Sequence, residues 1–229
     1  MPCLICGNED YSDPTKVCKK CGLRNIPRQL VDWEIRKLIN LGVLKIVPIL
    51  NLEKQLNPNG FDICLDTKFR IIRKSQSTFI DTIKPFNINE VYDKVELLVG
   101  GRQKSFVLHP GDFVLAQSFE YIKLPNFISA GLDGKSSLGR LSLSIHTTAG
   151  SIDPGFKGHV TFELYNAGGL PIKVHPLQPI ARLIFYFTEE VEKPYTGEYS
   201  HQSDVTPSMG YRSWMNQVIK LLTDKEVIP

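Results

Sequence analysis

Short runs of β-branched and aromatic residues alternate with glycine, proline, asparagine and aspartate from residue 43 to residue 188. Runs of this length, bounded by turn-forming residues, predict strands. Many short strands at this spacing favour an all-β barrel or a double-sheet roll. The predicted strands are residues 69–73, 95–99, 105–108, 113–118, 141–145, 159–165, 172–174 and 180–187.

Helical spacing of apolar residues occurs on either side of this β-rich region. It predicts one helix over residues 30–41, and Gly42 follows as the terminator. Residues 189–209 are polar and contain few side chains that could build a core. Beyond them, Trp214 and Val218 share a helical face, which predicts a short amphipathic helix whose apolar side packs against the protein.

Four of the five cysteines form two C-x-x-C pairs near the N-terminus, and a glycine follows each pair. Such pairs form tight knuckles with backbone amides turned toward the thiolates. Two of them close together predict a tetrahedral zinc site, and a disulfide or redox pair is the alternative. Four thiolates leave no open position for water, so the predicted Zn²⁺ is structural, and so short a segment would fold only with its metal. The predicted ligands are Cys3, Cys6, Cys18 and Cys21.

The composition bounds the organisation of the chain and its partners. A length of 229 residues suits one sizeable domain with small attachments. We divide it into a zinc-ribbon-like module at 1–27, a main domain at 28–208 and a helical extension at 209–229. The net charge of +3 is too mild to favour nucleic acid, although it does not oppose a polyphosphate ligand. No apolar run approaches the roughly 20 residues of a membrane span and no signal-peptide pattern is present, so we expect a cytoplasmic protein without membrane contact.

The residues with the richest chemistry lie between positions 135 and 170. The run K-S-S-L-G-R at 135–140 supplies hydroxyls and two cations, Asp153 lies in an I-D-P-G turn, and Glu163 interrupts an apolar strand. Together they suit binding of a phosphorylated small molecule and proton transfer on it, although each serine, lysine or glycine alone is ordinary loop chemistry. A partly buried carboxylate requires a partner, and Arg140 is the candidate for Glu163.

In this order the motifs resemble the dCTP deaminase branch of the dUTPase-like superfamily, over nearly all of the chain outside the zinc module. The resemblance implies a mainly β fold, a dUTPase-like distorted double-sheet β-barrel or roll with few helices. It also implies a homotrimer with shared active sites, in which the 135–140 loop of one subunit faces Glu163 of another. The matching stretches are residues 30–35, 42–48, 56–62, 109–115, 120–125, 135–140, 149–156, 163–166, 199–202 and 206–208.

The resemblance implies hydrolytic deamination of dCTP to dUTP and ammonia without a catalytic metal. One carboxylate must then act first as a base and afterwards as an acid, and by resemblance that residue is Glu163. Arg140 would hold and orient Glu163, and Ser136 would contact the reacting edge of the base. The backbone at Ala149 would help to position the water.

The same resemblance implies contacts for the rest of the nucleotide. Lys135 and Ser137 would bind the triphosphate with Mg²⁺, and Gln202 on the closing tail would join them. Asp153 would receive the deoxyribose hydroxyl. His146 has two interpretations, a position near the phosphates or a histidine satisfied inside the fold. The substrate-binding residues implied are Lys135, Ser137, Ala149, Asp153, Tyr199 and Gln202.

The product and even the class of function stay open at the level of sequence. The simple deaminase is the leading hypothesis, but the Ala149-Gly150 pair looks closer to bifunctional members, which would carry dUTP on to dUMP and pyrophosphate with help from Asp153. A pure dUTPase needs no acid at the position of Glu163. A non-catalytic nucleotide sensor or zinc-ribbon interaction protein would not need the whole set of site residues. We expect the zinc module to stabilise the trimer, with a partner protein or nucleic acid as alternatives.

Four positions depart from the pattern that the resemblance implies. Gly60 stands where serine is usual, and Arg182 stands where glutamine is common. Leu177 replaces the glycine of a P-G turn, and Ser151 stands where some deaminases have arginine. None of these changes removes a group with a proposed catalytic role.

Overall fold

Strands are the commonest regular structure in the computed structural model, which describes residues 2–9, 17–73, 80, 87–99, 102–103, 105–208 and 220. The mainly β fold with few helices is therefore confirmed, whereas the helix predicted from Trp214 and Val218 lies outside the described residues. In chain order the elements are β1 (Arg28–Gln29), α1 (Asp32–Asn40), β2 (Lys45–Val47), α2 (Leu52–Gln55), β3 (Leu56–Asn57), β4 (Gly60–Ile72), α3 (Ile88–Val91), β5 (Tyr92–Glu96), β6 (Leu98–Val99), β7 (Arg102–Gln103), β8 (Phe106–Leu108), β9 (Phe113–Lys123), β10 (Ile128–Gly134), α4 (Ser136–Gly139), β11 (Leu143–Ser144), β12 (Ser151–Ile152), β13 (Lys157–Asn166), β14 (Ile172–Val174) and β15 (Pro179–Phe187).

One long strand, β4, joins the two parts of the sheet system. Its first half pairs antiparallel with β15 around Asp62, and its second half pairs with β9 and β5. A register shift between Leu65 and Phe69 lies where the strand passes from one set of partners to the other. The pairing order β11-β13-β9-β4-β15-β10-β12 forms one curled sheet system, as a double-sheet roll requires.

Strand β13 shows how the core positions the polar residues of the fold. Exposure alternates along it, so that Val160, Phe162 and Leu164 are buried while Thr161 and Glu163 lie on the opposite face. Burying an aliphatic or aromatic side chain of this size contributes about 1.5–3 kcal/mol. The apolar face of β13 therefore fixes the strand and, with it, the direction of Glu163.

Helix α1 covers part of the same core through Ile35 and Leu38, which are buried. The side chain of Glu34 reaches back and accepts a hydrogen bond from the Val31 N–H at 3.2 Å, which caps the start of the helix. Gly42 follows the helix with a φ of +70°, as the predicted terminator should. Among the described residues, no helix combines the length and the apolar character needed to span a membrane.

Candidate active site

A cavity of about 590 Å³ opens beside β13, a size that suits a small-molecule ligand. Its wall comes from β13, from the segment 146–156 and from the tail that follows β15. The first two parts are consecutive in the sequence, whereas the tail joins them only in the fold, and together they bring five of the predicted site residues to one wall. Those residues are Ala149, Asp153, Glu163, Tyr199 and Gln202.

The carboxylate of Glu163 is held by backbone amides. Its Oε2 accepts hydrogen bonds from the N–H of Thr147 at 2.7 Å and from that of Thr148 at 3.3 Å. The N–H of Glu163 donates to the carbonyl of Ile145 at 2.8 Å, so the strand and the loop support each other. Among the described residues only these two amides bond to the carboxylate, and its second oxygen stays available to the cavity. The arrangement orients a half-buried carboxylate toward a ligand, as proton transfer requires.

The expected ion pair between Arg140 and Glu163 does not form within the described chain. Arg140 is exposed at the end of α4 and is not part of the cavity wall. Two N–H groups compensate the half-buried carboxylate instead of a guanidinium, because backbone donors satisfy a buried acceptor as well as a side chain does. A pairing of Arg140 with Glu163 of another subunit stays a prediction.

The loop that carries Lys135, Ser136 and Ser137 also lies outside the cavity wall. The two serines are exposed, whereas Lys135 is half-buried and its Nζ donates to the carboxylate of Asp62. Asp62 is only 2% exposed, and its other oxygen accepts from Arg182 Nε at 2.9 Å. The described chain thus assembles one half of the predicted site and leaves the other half elsewhere on its surface.

Asp153 reaches the cavity from a tight turn. Gly155 in this turn has a φ of +88°, and a Cβ at this position would lie 2.7 Å from the Cβ of Pro194. Only glycine fits there, because it has no Cβ and tolerates this φ. The N–H of Tyr195 donates to the carbonyl of Pro154 at 2.9 Å. The turn and the segment after β15 are therefore packed together, which fixes Asp153 at the cavity.

Tyr195 is a cavity residue that the sequence did not single out. Its ring packs tilted against Phe156 with the ring centroids 6.2 Å apart, and its hydroxyl accepts from the N–H of Tyr199 at 3.3 Å. Burial, together with the nearby charge of Asp153, raises the pKa of Tyr195, so the phenol stays protonated at neutral pH. The one sequence signal was an aromatic residue next to Pro194 inside an otherwise polar stretch.

The tail returns to β13 and forms part of the cavity wall. Gln202 pairs with Gly158 in a parallel bridge, and its carbonyl accepts from the N–H of His159 at 3.1 Å. The side-chain Oε1 of Gln202 accepts from Thr161 Oγ1 at 2.9 Å. Thr161 is on the same face of β13 as Glu163, so Gln202 is built into the wall beside the carboxylate.

Further along the tail, Asp204 fastens the chain to β4 and β5. Its Oδ2 lies 2.7 Å from Lys94 Nζ and 3.3 Å from Arg70 Nη2. Arg70 is buried, and its Nε also donates to the carbonyl of Val205 at 2.5 Å. These contacts hold the stretch that brings Thr206, another lining residue, to the cavity.

His146 lines the cavity, and its Nδ1 is buried without a hydrogen-bond partner among the described residues. Gly150 makes room for the imidazole, because a Cβ there would lie 3.2 Å from His146 Cε1. A histidine satisfied inside the fold would have this nitrogen paired. A position of His146 near the phosphates stays a prediction.

The four N-terminal cysteines come together in space. Each offers its Sγ, and all four sulfur atoms lie within 4.8 Å of one another. No disulfide joins any of the described cysteines. Cys64 is buried apart from the cluster, as expected for a small apolar side chain. The zinc-ribbon-like arrangement that the two C-x-x-C pairs predict is therefore present.

Comparison with known proteins finds relatives over most of the chain. The family model described as dCTP deaminase-like matches residues 29–188. A protein of Corynebacterium jeikeium named "dCTP deaminase, dUMP-forming" is 40% identical over 193 residues, which cover 82% of this chain and 99% of that protein. Proteins with the same name from Methanosphaera stadtmanae and Nanoarchaeum equitans are 35% and 39% identical, covering 87% and 78% of this chain and 96% of each relative.

A solved structure has a similar fold. The crystal structure of 2'-deoxycytidine 5'-triphosphate deaminase from Agrobacterium tumefaciens aligns with a TM-score of 0.54 at 23% identity, covering 70% of this chain and 48% of that one. This likeness concerns the fold alone, and it confirms the dUTPase-like roll that the sequence motifs imply. The family model begins at residue 29, so the four cysteines lie outside the matched region.

Proposed function

This chain belongs to the dCTP deaminase-like family, and from that premise we propose that it deaminates dCTP and then hydrolyses the dUTP to dUMP and pyrophosphate. The relatives named as dUMP-forming match over nearly their whole length. This favours the bifunctional reaction over the dUTP-forming deamination, which was the leading hypothesis from the sequence. The observation that carries the proposal is the presence of Glu163 and Asp153 in one cavity. Two carboxylates can serve two successive hydrolyses.

In the first reaction, water adds to C4 of the cytosine and the bond to the exocyclic nitrogen breaks. Glu163 would take a proton from the water and pass it to N3, and would then carry the remaining hydroxyl proton to the departing ammonia. The product is uracil with a proton on N3 and a carbonyl at C4. Because the amides of Thr147 and Thr148 hold only Oε2, the second oxygen can face the reacting edge of the base.

In the second reaction, water attacks the α-phosphorus of dUTP, and the bond from that phosphorus to the bridging oxygen breaks, so that pyrophosphate leaves. Asp153 is exposed on the cavity wall and would accept the proton of this water. The triphosphate would enter with Mg²⁺ as part of the substrate. The amide oxygen of Gln202 is a ligand that suits a hydrated Mg²⁺ held mainly by phosphates.

The remaining contacts would come from a neighbouring copy of the chain. Ser136, Ser137 and Arg140 are exposed and outside the cavity wall, although a triphosphate and a reacting base call for such donors. A homotrimer in which this loop closes the next subunit's cavity would complete the site. Lys135 would reach the triphosphate from the same loop.

The test is incubation of the purified chain with dCTP and Mg²⁺, with the products separated by ion-exchange chromatography. Equal amounts of dUMP, pyrophosphate and ammonia support the proposal. Accumulation of dUTP overturns the second reaction, and unchanged dCTP overturns the deamination. Glu163→Gln should stop ammonia release while added dUTP is still cleaved, and Asp153→Asn should stop that cleavage.

A further inference from the structure

The two cysteine pairs of the N-terminal segment adopt the same knuckle geometry. The N–H of Gly7 donates to the carbonyl of Cys3 at 2.7 Å, and the N–H of Gly22 donates to that of Cys18 at 2.6 Å. Gly7 and Gly22 have φ values of +65° and +71°, which a side chain would disfavour. Each glycine thus lets its knuckle turn back and direct both of its sulfurs to one point.

The sulfur separations match a tetrahedral metal site. Cys3 Sγ and Cys21 Sγ lie 3.6 Å apart, and Cys6 Sγ and Cys18 Sγ lie 3.8 Å apart. A zinc ion with Zn–S bonds of about 2.3 Å places its thiolates roughly 3.8 Å from one another. A disulfide would require about 2.05 Å. The donor set and its spacing therefore fit zinc and do not fit two disulfides.

A polar group lies beside these sulfurs, as is common around bound metals. Asn8 Nδ2 lies 3.7 Å from Cys18 Sγ, where its N–H can donate to the thiolate. Partners of this kind orient thiolates and offset part of their negative charge.

We propose that these four thiolates bind one Zn²⁺ and that the metal-bound module is a structural part of the catalytic domain's core. Cys3, Cys18 and Leu23 are buried in the same apolar cluster as Ile35 and Leu38 of α1. The module therefore covers the apolar side of a helix that belongs to the family region. This inference goes beyond the proposed reaction and does not depend on it.

Arg28, the first residue after the module, links the module to α1. Arg28 donates from Nη1 to Glu34 Oε2 at 2.7 Å, and its Nη2 lies 3.4 Å from the carbonyl of Arg24. The Glu34 side chain is only 5% exposed, so the pair is shielded from solvent. A Cβ at Gly22 would lie 3.2 Å from Lys37 Nζ, which shows how closely the second knuckle approaches the helix. Loss of the metal should loosen this whole contact.

The start of α1 also contacts the strand that carries Asp62. The N–H of Asp32 donates to the carbonyl of Pro58 at 3.0 Å, two residues before β4 begins at Gly60. Zinc release should therefore destabilise β4 along with α1. We expect one cooperative unfolding transition for the zinc-bound chain, at a higher temperature than for the zinc-free chain.

The first experiment measures metal in the purified full chain by plasma mass spectrometry after growth with added zinc. We expect one zinc per chain, and loss of that zinc in Cys18→Ser and Cys21→Ser. Cys64→Ser is the matched control, because Cys64 is buried but is not among the four clustered thiols, and it should keep its zinc. Absence of stoichiometric zinc, or iron in its place, overturns the assignment.

The second experiment needs no variant and so does not depend on how the serine variants fold. Zinc is released from the native chain with a mercurial reagent and counted with a chromophoric chelator, while near-ultraviolet circular dichroism follows unfolding. We expect the unfolding midpoint to fall by roughly 10 °C or more and to recover when a thiol and zinc are added back. An unchanged midpoint after complete release overturns the structural role.

Discussion

Arg182 occupies the space that a side chain at position 60 would need. A Cβ built on Gly60 would lie 3.0 Å from Arg182 Cγ and 2.6 Å from the carbonyl oxygen of Leu183. The side chain at position 182 and the size of the residue at position 60 are therefore coupled, and the backbone of Leu183 adds a contact that no side-chain change removes. Arg182 adds a second cation to Asp62, which also binds Lys135, so this buried cluster keeps a net positive charge beside the loop proposed to bind triphosphate.

A double-mutant cycle tests this coupling. Gly60→Ser should reduce the free energy of unfolding by about 1–3 kcal/mol, because the new Cβ has no room. With Arg182→Ala in the same chain, the loss should be smaller than the sum of the two single losses, since removal of Cγ and Cδ frees part of that space. Urea denaturation of the four proteins measures the cycle. Strict additivity would show that the two positions do not share the space.

Glu163→Gln should lower the deamination rate by about 10²–10⁴-fold, because the amide cannot accept the proton of the water. Binding of dCTP should be retained, since the glutamine oxygen can still accept from Thr147 and Thr148. Ammonia release and isothermal titration measure the two quantities. Glu189→Gln, on an exposed residue outside the cavity wall, is the matched control and should change neither. Equal loss of binding and rate would argue for a structural role of Glu163.

Subunit mixing tests whether the site is shared. Arg140→Ala chains keep Glu163, and Glu163→Gln chains keep the loop, so a mixed trimer contains some sites with both halves intact. We expect activity to return when the two inactive proteins exchange subunits. A mixture of Arg140→Ala with Ser136→Ala should stay inactive, because neither chain supplies an intact loop. Recovery in the second mixture, or none in the first after proven exchange, contradicts sites between subunits.

The sequence predicted those strands and turns that are determined by residues close together in the chain. The strand-like run at 159–165 predicted β13 with Glu163 inside it, and Leu177, where a P-G turn has glycine, adopts a φ of +63°. β10 was missed because Ile128–Gly134 is rich in glycine, serine and aspartate, and pairing with β15 overrides that weak propensity. Tyr195 was missed for a similar reason, since only tertiary packing brings it to the cavity.

Asp204 should matter for substrate binding, although it does not line the cavity. Burial opposes ionisation, but the hydrogen bond and charge of Lys94 and the charge of Arg70 lower the pKa of Asp204. A lowered pKa means that the contact is fully stabilising above the unfolded-state pKa of about 3.9 and is lost as the pH falls through the folded-state pKa. The tail is therefore held throughout the neutral range.

Asp204→Asn should lower the free energy of unfolding by about 1–2 kcal/mol and raise the KM for dCTP several-fold, with a smaller effect on kcat. Asp93→Asn is the matched control, because Asp93 pairs with Arg73 on the surface and does not touch the tail. The free energy of unfolding of Asp93→Asn should stay within about 0.5 kcal/mol of that of the parent chain. Denaturation curves and steady-state kinetics at neutral pH measure both variants. An unchanged KM in Asp204→Asn would show that Asp204 does not support substrate binding through the tail.

Gly158 is a position at which one added carbon would displace the tail. Its φ is +152°, and a Cβ there would lie 2.9 Å from the backbone nitrogen of Gln202. Because the clash is with backbone, no rotamer change can relieve it, and the tail must move away from β13. Gly158→Ala should therefore displace Gln202 and reduce kcat/KM by about 10–100-fold. Gly169→Ala is the control, since a Cβ at Gly169 meets nothing within 4 Å. If Gly158→Ala and Gly169→Ala both keep full activity, the docked tail is not required for turnover.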